Sequence, residues 1–306
     1  MGMVVLLINI TSLDLDKLEK VARGGFGVVY RDGPKAIKIY HNMVRTGYAS
    51  EVPNPALYFN KLKLIRLLNK DRLIENTDLI QDIVYSGDRF IGVVYPFYDG
   101  ITLDRCKKLP LKTRIDMSRQ IVSNAKELTD NSIYPLDYKL NNMIYTGNKV
   151  KFLDLDDYFT KVKTWKSGRL LKKSTRILDE TLRCLLGEYD CYGYIENDVR
   201  CLLEKDYSIN NNYDDINKYL DEKEKPVKFI LVDSNTDIDK IDGGNDYLLL
   251  FINDYFRNKD LLSMILDNDL SIYGVVRSNR LSDYLNNFVV EECIDKTKDK
   301  VLTKIK

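Results

Sequence analysis

An α+β chain is predicted, opening with a small antiparallel sheet that carries one main helix and continuing as a mostly helical part. Three observations predict it. Up to Tyr98 the sequence holds short β-like runs punctuated by the turn signals Asp32-Gly33-Pro34 and Ser86-Gly87-Asp88. After Gly100, apolar residues recur at helical spacing, as in Ile115, Ile121, Val122, Ala125 and Leu128. The composition is globular, 44% hydrophobic and 30% charged over 306 residues, enough for one large domain or one with a modest appendage.

The elements follow in order. Gly27 to Tyr30 and Ala36 to Tyr40 flank Asp32-Gly33-Pro34 and read as a hairpin. Leu57, Leu62, Ile65 and Leu68 give Ala56 to Leu68 a helical period. Ile80 to Val84 and Phe90 to Tyr95 are two further strands. Beyond Gly100, Thr113 and Asp116 are spaced like a capping box at the start of a long helix. Met143–Tyr145 and Val150–Leu153 form a hairpin pattern around Thr146-Gly147-Asn148, and Leu170 to Leu186 is helical again. The charged run Asp221 to Lys225, followed by Pro226, is the best linker candidate. Past it, Val227 to Val232 is strand-like and the remainder helix-like.

Charge and cysteine content exclude several function classes. Lys+Arg at 47 against Asp+Glu at 46 leaves no global basic field for nucleic acid or an anionic membrane. Met3 to Ile10 is too short to span a bilayer and lacks signal-peptide flanks. Cys106, Cys184, Cys191, Cys201 and Cys293 form no C-x-x-C pair and read as reduced thiols of a cytoplasmic protein, with delivery into another cell left open. The single His41 leaves a zinc site short of ligands, and no G-x-S-x-G turn surrounds any Ser.

Four patches carry chemistry. Glycines 24, 25 and 27 in Val21–Tyr30 let backbone N–H groups approach phosphate oxygens without hindrance from Cβ. Lys38 in Ala36-Ile37-Lys38 supplies a point charge on the next strand. Asp137-Tyr-Lys-Leu-Asn-Asn142 offers an acid to orient a hydroxyl, Lys139 for a transferred phosphate and Asn142 for a metal. Val150–Asp157 is an apolar strand ending in carboxylates, of which Asp154 is a hard oxygen ligand suited to Mg²⁺. Each patch alone is common; their order and spacing together are not.

That order resembles the eukaryotic-type protein kinases, whose signature is a glycine-rich loop, a V-A-I-K lysine, an H-R-D-x-K-x-x-N loop and D-F-G. The resemblance covers roughly Leu18 to Asp157. It implies a bilobal protein-kinase-like fold. Residues 1–98 would be the sheet-bearing N-lobe and 99–225 the core of a mostly helical C-lobe. Residues 226–306 would complete that lobe or form a small appended module. It further implies ATP, with Mg²⁺ or Mn²⁺, as cofactors. Ala22, Gly24, Gly25, Phe26, Gly27 and Val29 would cover the nucleotide, and Lys38, with Glu51 as its acidic partner, would pair with the phosphates. Tyr95, Phe97 and Asp99 would form the hinge against adenine, behind Val94 as a small gatekeeper. Asp137 would be the catalytic base, Lys139 its phosphate-contacting neighbour, and Asn142 and Asp154 the metal ligands.

Departures from the pattern narrow the expectation. Ala22 replaces the first glycine, and Pro135-Leu136 replaces His-Arg, removing the usual partner of a phosphorylated activation loop. Asp154-Leu155-Asp156 stands for D-F-G, and no proline occurs between Asp154 and Pro226 to supply A-P-E. Within Ala56–Leu68 there is no acidic residue, which leaves Glu51 as the candidate partner of Lys38. The leading expectation is a non-RD Ser/Thr protein kinase. Two others stay open: a small-molecule kinase of the same fold, and a nucleotide-binding pseudokinase scaffold.

Overall fold

The computed structural model describes residues 8–9, 15–45, 51–54, 80–135, 137–153, 159–160, 167–187, 212–233, 236, 248–252, 272–276, 281–298 and 300–302. The chain is mixed α+β and divides into two compact units. The first comprises Met1–Arg105, Gln120–Thr181 and Asn210–Tyr213; the second comprises Cys106–Arg119, Leu182–Ile209 and Asp214–Lys306.

The first unit opens on a six-stranded sheet. Strands β1 (Ile8–Asn9), β2 (Glu19–Arg23), β3 (Gly27–Asp32) and β4 (Lys35–Tyr40) are followed by a separate two-stranded pair, β5 (Met43–Arg45) with β6 (Glu51–Pro53). Strands β7 (Asp82–Ser86) and β8 (Arg89–Pro96) then complete the large sheet in the order β1-β7-β8-β4-β3-β2. Every pairing is antiparallel except β1 with β7. Both two-residue hairpin loops begin with a glycine at positive φ, Gly33 at 56° and Gly87 at 57°, the backbone twist that tight hairpins require. One face of the sheet packs Ile37, Val84 and Val94 with Leu18, Ile39 and Ile91. Each such fully buried aliphatic side chain contributes roughly 1.5–3 kcal/mol. The expected hairpins at residues 27–40 and 80–95 are both present; the expected helix Ala56–Leu68 lies outside the described residues.

After β9 (Ile101–Thr102), helix α1 runs from Leu111 to Asp130. It buries Ile115, Ile121, Val122, Ala125 and Leu128, the face read from the sequence. It starts earlier than the capping-box reading placed it, because Pro110 opens it and its carbonyl accepts the Arg114 N–H at 3.1 Å. Ser132, at φ 61°, ends it in the left-handed conformation usual at a helix stop. The chain then passes through β10 (Ile133–Tyr134), β11 (Met143–Tyr145), β12 (Val150–Phe152) and β13 (Phe159–Thr160) to helix α2 (Ser167–Leu185). Strand β11 pairs with both β12 and β9, and β10 pairs with β13.

Tyr213 closes this unit. Its hydroxyl donates to the Ala125 carbonyl at 3.0 Å and lies 3.1 Å from Thr129 Oγ1. Burial pushes its phenol up to about 12, and burial pushes the Tyr138 phenol well above its ordinary 10. Both groups therefore stay neutral in the folded chain at pH values where the unfolded chain ionises them. Their contribution is complete below pH 10, and that of Tyr213 is lost as pH rises toward about 12. Thermal unfolding followed by circular dichroism should show a midpoint steady from about pH 7 to 9 that falls above about pH 10. Tyr213→Phe should fall less steeply; an equal slope in the variant would contradict the assignment.

The second unit contains helix α3 from Asp214 onward (the helix is Tyr213–Glu224, with Asp214 and Asp215 in its first turn) and strands β14 (Val227–Val232), β15 (Leu248–Ile252) and β16 (Ile272–Val276). Helix α4 (Leu281–Leu285) and strands β17 (Val290–Asp295) and β18 (Lys300–Leu302) follow. The sheet order is β16-β15-β14-β17-β18, parallel except for the β17–β18 hairpin. Phe229 to Val232 are all buried, the continuous apolar run of a central parallel strand. Phe229, Leu231, Leu285 and Cys293 form its core, with the Phe288 ring edge-on to Phe229 at 5.2 Å. Arg114, 1% exposed, donates to the carbonyls of Leu109, Leu185 and Asn286 and to Asn287 Oδ1, at 2.8–3.1 Å.

Three expectations are corrected here. Ten strands accompany four α-helices among the described residues after Gly100, so that part is mixed rather than mostly helical. Residues 221–224 are the solvated end of α3 and not a linker: Asp221 pairs with Arg119, and Glu224 with Arg119 and Lys112. Cys184 is disulfide-bonded, against the reading of five thiols, while Cys106 and Cys293 are buried. Among the described residues no helix is long and apolar enough to cross a membrane.

Candidate active site

The glycine-rich turn joins β2 to β3. Ala22 lies opposite Val29 across that pair, and the Gly24 N–H closes the turn on the Gly27 carbonyl at 2.9 Å. A Cβ on Gly27 would stand 2.5 Å from the Ile39 carbonyl oxygen, so close packing against β4 excludes any side chain there. Phe26 at the tip is exposed. The turn is anchored from beyond β4. The His41 N–H donates to the Phe26 carbonyl at 2.9 Å, and His41 Nε2 lies 3.2 Å from the Gly24 carbonyl. Asn54, completely buried just after β6, donates its amide to the carbonyls of Phe26 at 3.0 Å and His41 at 2.9 Å.

Lys38 sits in the middle of β4, between Val29 of β3 and Val93 of β8, and is 7% exposed. Its ammonium lies 5.4 Å from the Tyr40 ring on the same strand face. An ammonium so enclosed by a sheet is costly unless an anion meets it. Glu51, the expected acidic partner, opens strand β6 opposite Arg45 and is on no helix; its side chain lies outside the described residues. Gly92 lets β8 approach here, since a Cβ would stand 2.2 Å from the Lys38 carbonyl.

Tyr95 pairs with Ala36, and the strand pairing continues past it. The Phe97 N–H donates to the Pro34 carbonyl at 2.7 Å, so that donor is already engaged. Arg31 lays its guanidinium 4.0 Å above the Phe97 ring and reaches Asp99 at 3.5 Å. Gly100 passes against β11, where a Cβ would meet the Tyr145 carbonyl at 2.4 Å.

The loop from Asp137 to Asn142 brings three predicted residues together. Lys139 Nζ lies 3.1 Å from one Asp137 oxygen, and Asn142 Nδ2 donates to the other at 3.1 Å. A carboxylate only accepts, so the amide nitrogen must face it and Asn142 Oδ1 turns the other way, an oxygen of the kind Mg²⁺ takes. Asp137 and Lys139 are part-exposed, at 36% and 40% of their side chains, so both can be reached from solvent.

The residues between them hold the loop in place. Tyr138 and Leu140 are buried, and the Tyr138 ring packs on Phe152 at 5.9 Å. From α2, Thr181 Oγ1 donates to the Tyr138 carbonyl at 2.5 Å, and Ser174 Oγ donates to Pro135 O at 2.7 Å. The Leu153 N–H donates to Asn142 O at 2.6 Å, tying the loop to the residue before Asp154. Tyr134 pairs with Phe159 beyond it. Asp154 itself lies outside the described residues, as do Leu155 and Asp156.

Sequence reasoning singled out Lys38, Asp137, Lys139 and Asn142 and missed His41 and Asn54 as anchors of the glycine turn. Position after Lys38 was the one available signal for His41; nothing local marked Asn54. No family model and no curated protein matches the chain.

Proposed function

We propose that this protein transfers the γ-phosphoryl group of Mg-ATP to a hydroxyl, with a Ser/Thr side chain of a protein as substrate and a bilobal protein-kinase-like arrangement of the first unit. One observation carries the reading. Lys139 and Asn142 converge on the part-exposed Asp137 carboxylate, with the buried Tyr138 and Leu140 in the same loop. The antiparallel run β2-β3-β4-β8-β7, with a glycine turn at one edge and a buried lysine on its third strand, supports it independently.

Each residue then has a task. Asp137 receives the hydroxyl proton and aims the oxygen. Lys139, held beside Asp137, neutralises the oxygens of the transferred group, and Lys38 neutralises those of the remaining phosphates. Asn142 would hold the metal through Oδ1, with Asp154 as its partner ligand. Mg²⁺ supplies charge neutralisation of the phosphates when bound. Positioning and electrostatics suffice, because this transition state asks little covalent help of the protein.

A second reading, a small-molecule kinase of the same fold, is favoured by Leu155-Asp156 in place of Phe-Gly and by the lack of proline from Asp154 to Pro226. Incubating the wild-type chain with radiolabelled Mg-ATP and a generic protein substrate decides the first question. Label on protein supports the protein-kinase reading; label only on added sugars or alcohols supports the second. Nucleotide bound without any turnover would replace both with a scaffold.

A further inference from the structure

We propose that His41 is a positioning residue that turns the Gly24–Gly25 peptide so that the Gly25 N–H becomes a phosphate donor, with Asn54 locking the turn in that state. The proposal rests on the phosphotransfer reading and extends it to residues outside the four motif patches. Side chains alternate along a strand. Lys38 and Tyr40 share one face of β4, while Ile37 and Ile39 pack into the apolar cluster on the other. The ladder continues through His41, whose N–H bonds the Phe26 carbonyl. By alternation His41 therefore lies on the face away from Lys38.

The Gly24 carbonyl, 3.2 Å from His41 Nε2, is thus held toward that far face. A carbonyl only accepts, so Nε2 carries the proton. The described chain has no cis peptide, and in a trans peptide C=O and N–H point in opposite directions. The Gly25 N–H is consequently presented on the Lys38 side, where an anionic group meets both an N–H and an ammonium. Asn54 removes the remaining freedom of the turn. Fully buried, it bridges the Phe26 and His41 carbonyls, so the turn and the end of β4 move as one piece. Such a pre-set donor lowers the ordering cost of binding, and its loss weakens nucleotide affinity more than turnover.

The test compares wild type, His41→Ala, His41→Gln and Asn54→Ala by two readouts: steady-state kinetics in Mg-ATP, and amide hydrogen exchange of the nucleotide-free chain. His41→Ala is expected to raise the KM for ATP about ten-fold with kcat changed less than about two-fold. His41→Gln, whose amide can donate to the same carbonyl, restores most of that loss. Asn54→Ala behaves like His41→Ala. In both alanine variants the segment containing Gly24–Gly27 exchanges faster, while Met143–Tyr145 does not change. Unaltered exchange at the turn overturns the clamp, and a Gln variant no better than Ala overturns the role of the hydrogen bond. A wild type that neither binds nor turns over Mg-ATP overturns the phosphate assignment along with the kinase reading, whatever the exchange shows.

Discussion

Asp137→Ala is expected to cut phosphotransfer about 10²- to 10⁴-fold, the range for removing a positioned general base, with the thermal midpoint nearly unchanged. The carboxylate is the shared partner of Lys139 and Asn142, so its loss removes the proposed proton acceptor and releases both neighbours. Stability should survive, because Asp137 is part-exposed and the loop is held by Tyr138, Leu140 and the bonds from Ser174 and Thr181. Initial rates in Mg-ATP beside circular-dichroism melts separate the two effects. A folded Asp137→Ala retaining more than about a tenth of wild-type rate would remove Asp137 from the chemistry.

Lys38→Met should lose about 10²- to 10³-fold in rate, as expected for deleting one preorganised electrostatic group from a shielded site. Methionine keeps an unbranched apolar stem between Val29 and Val93, so the sheet should remain intact. Lys38→Arg should not rescue the rate, since a planar fork cannot replace a compact ammonium in a space enclosed by three strands. Activity retained in Lys38→Met, with nucleotide affinity also unchanged, would show that the ammonium serves packing rather than phosphate.

The two units differ in how much of them could be read without coordinates. In the first, turn chemistry was decisive: Gly33 and Gly87 mark tight hairpins because positive φ costs other residues more. The buried face of α1 over Ile121, Val122, Ala125 and Leu128 followed from its 3.6-residue period. In the second, Leu248–Ile252 and Ile272–Val276 are short apolar runs whose period does not separate strand from helix. They became strands because the first pairs with β14 and the second with the first, a choice made across long stretches of chain.

The same division runs through the candidate site. The sequence alone determined which residues could serve, since Asp137, Lys139 and Asn142 are close along the chain and a short loop keeps their side chains within reach of one another. Tertiary structure decided what held them. Tyr138 found its place only against α2 and Phe152, the Phe97 N–H was taken by Pro34 from another hairpin, and Asn54 reached the glycine turn from a separate two-stranded pair. The physical reason is range. Spacing and backbone conformation act over a few residues, whereas a buried polar group is satisfied by whichever donor or acceptor the finished packing brings to it.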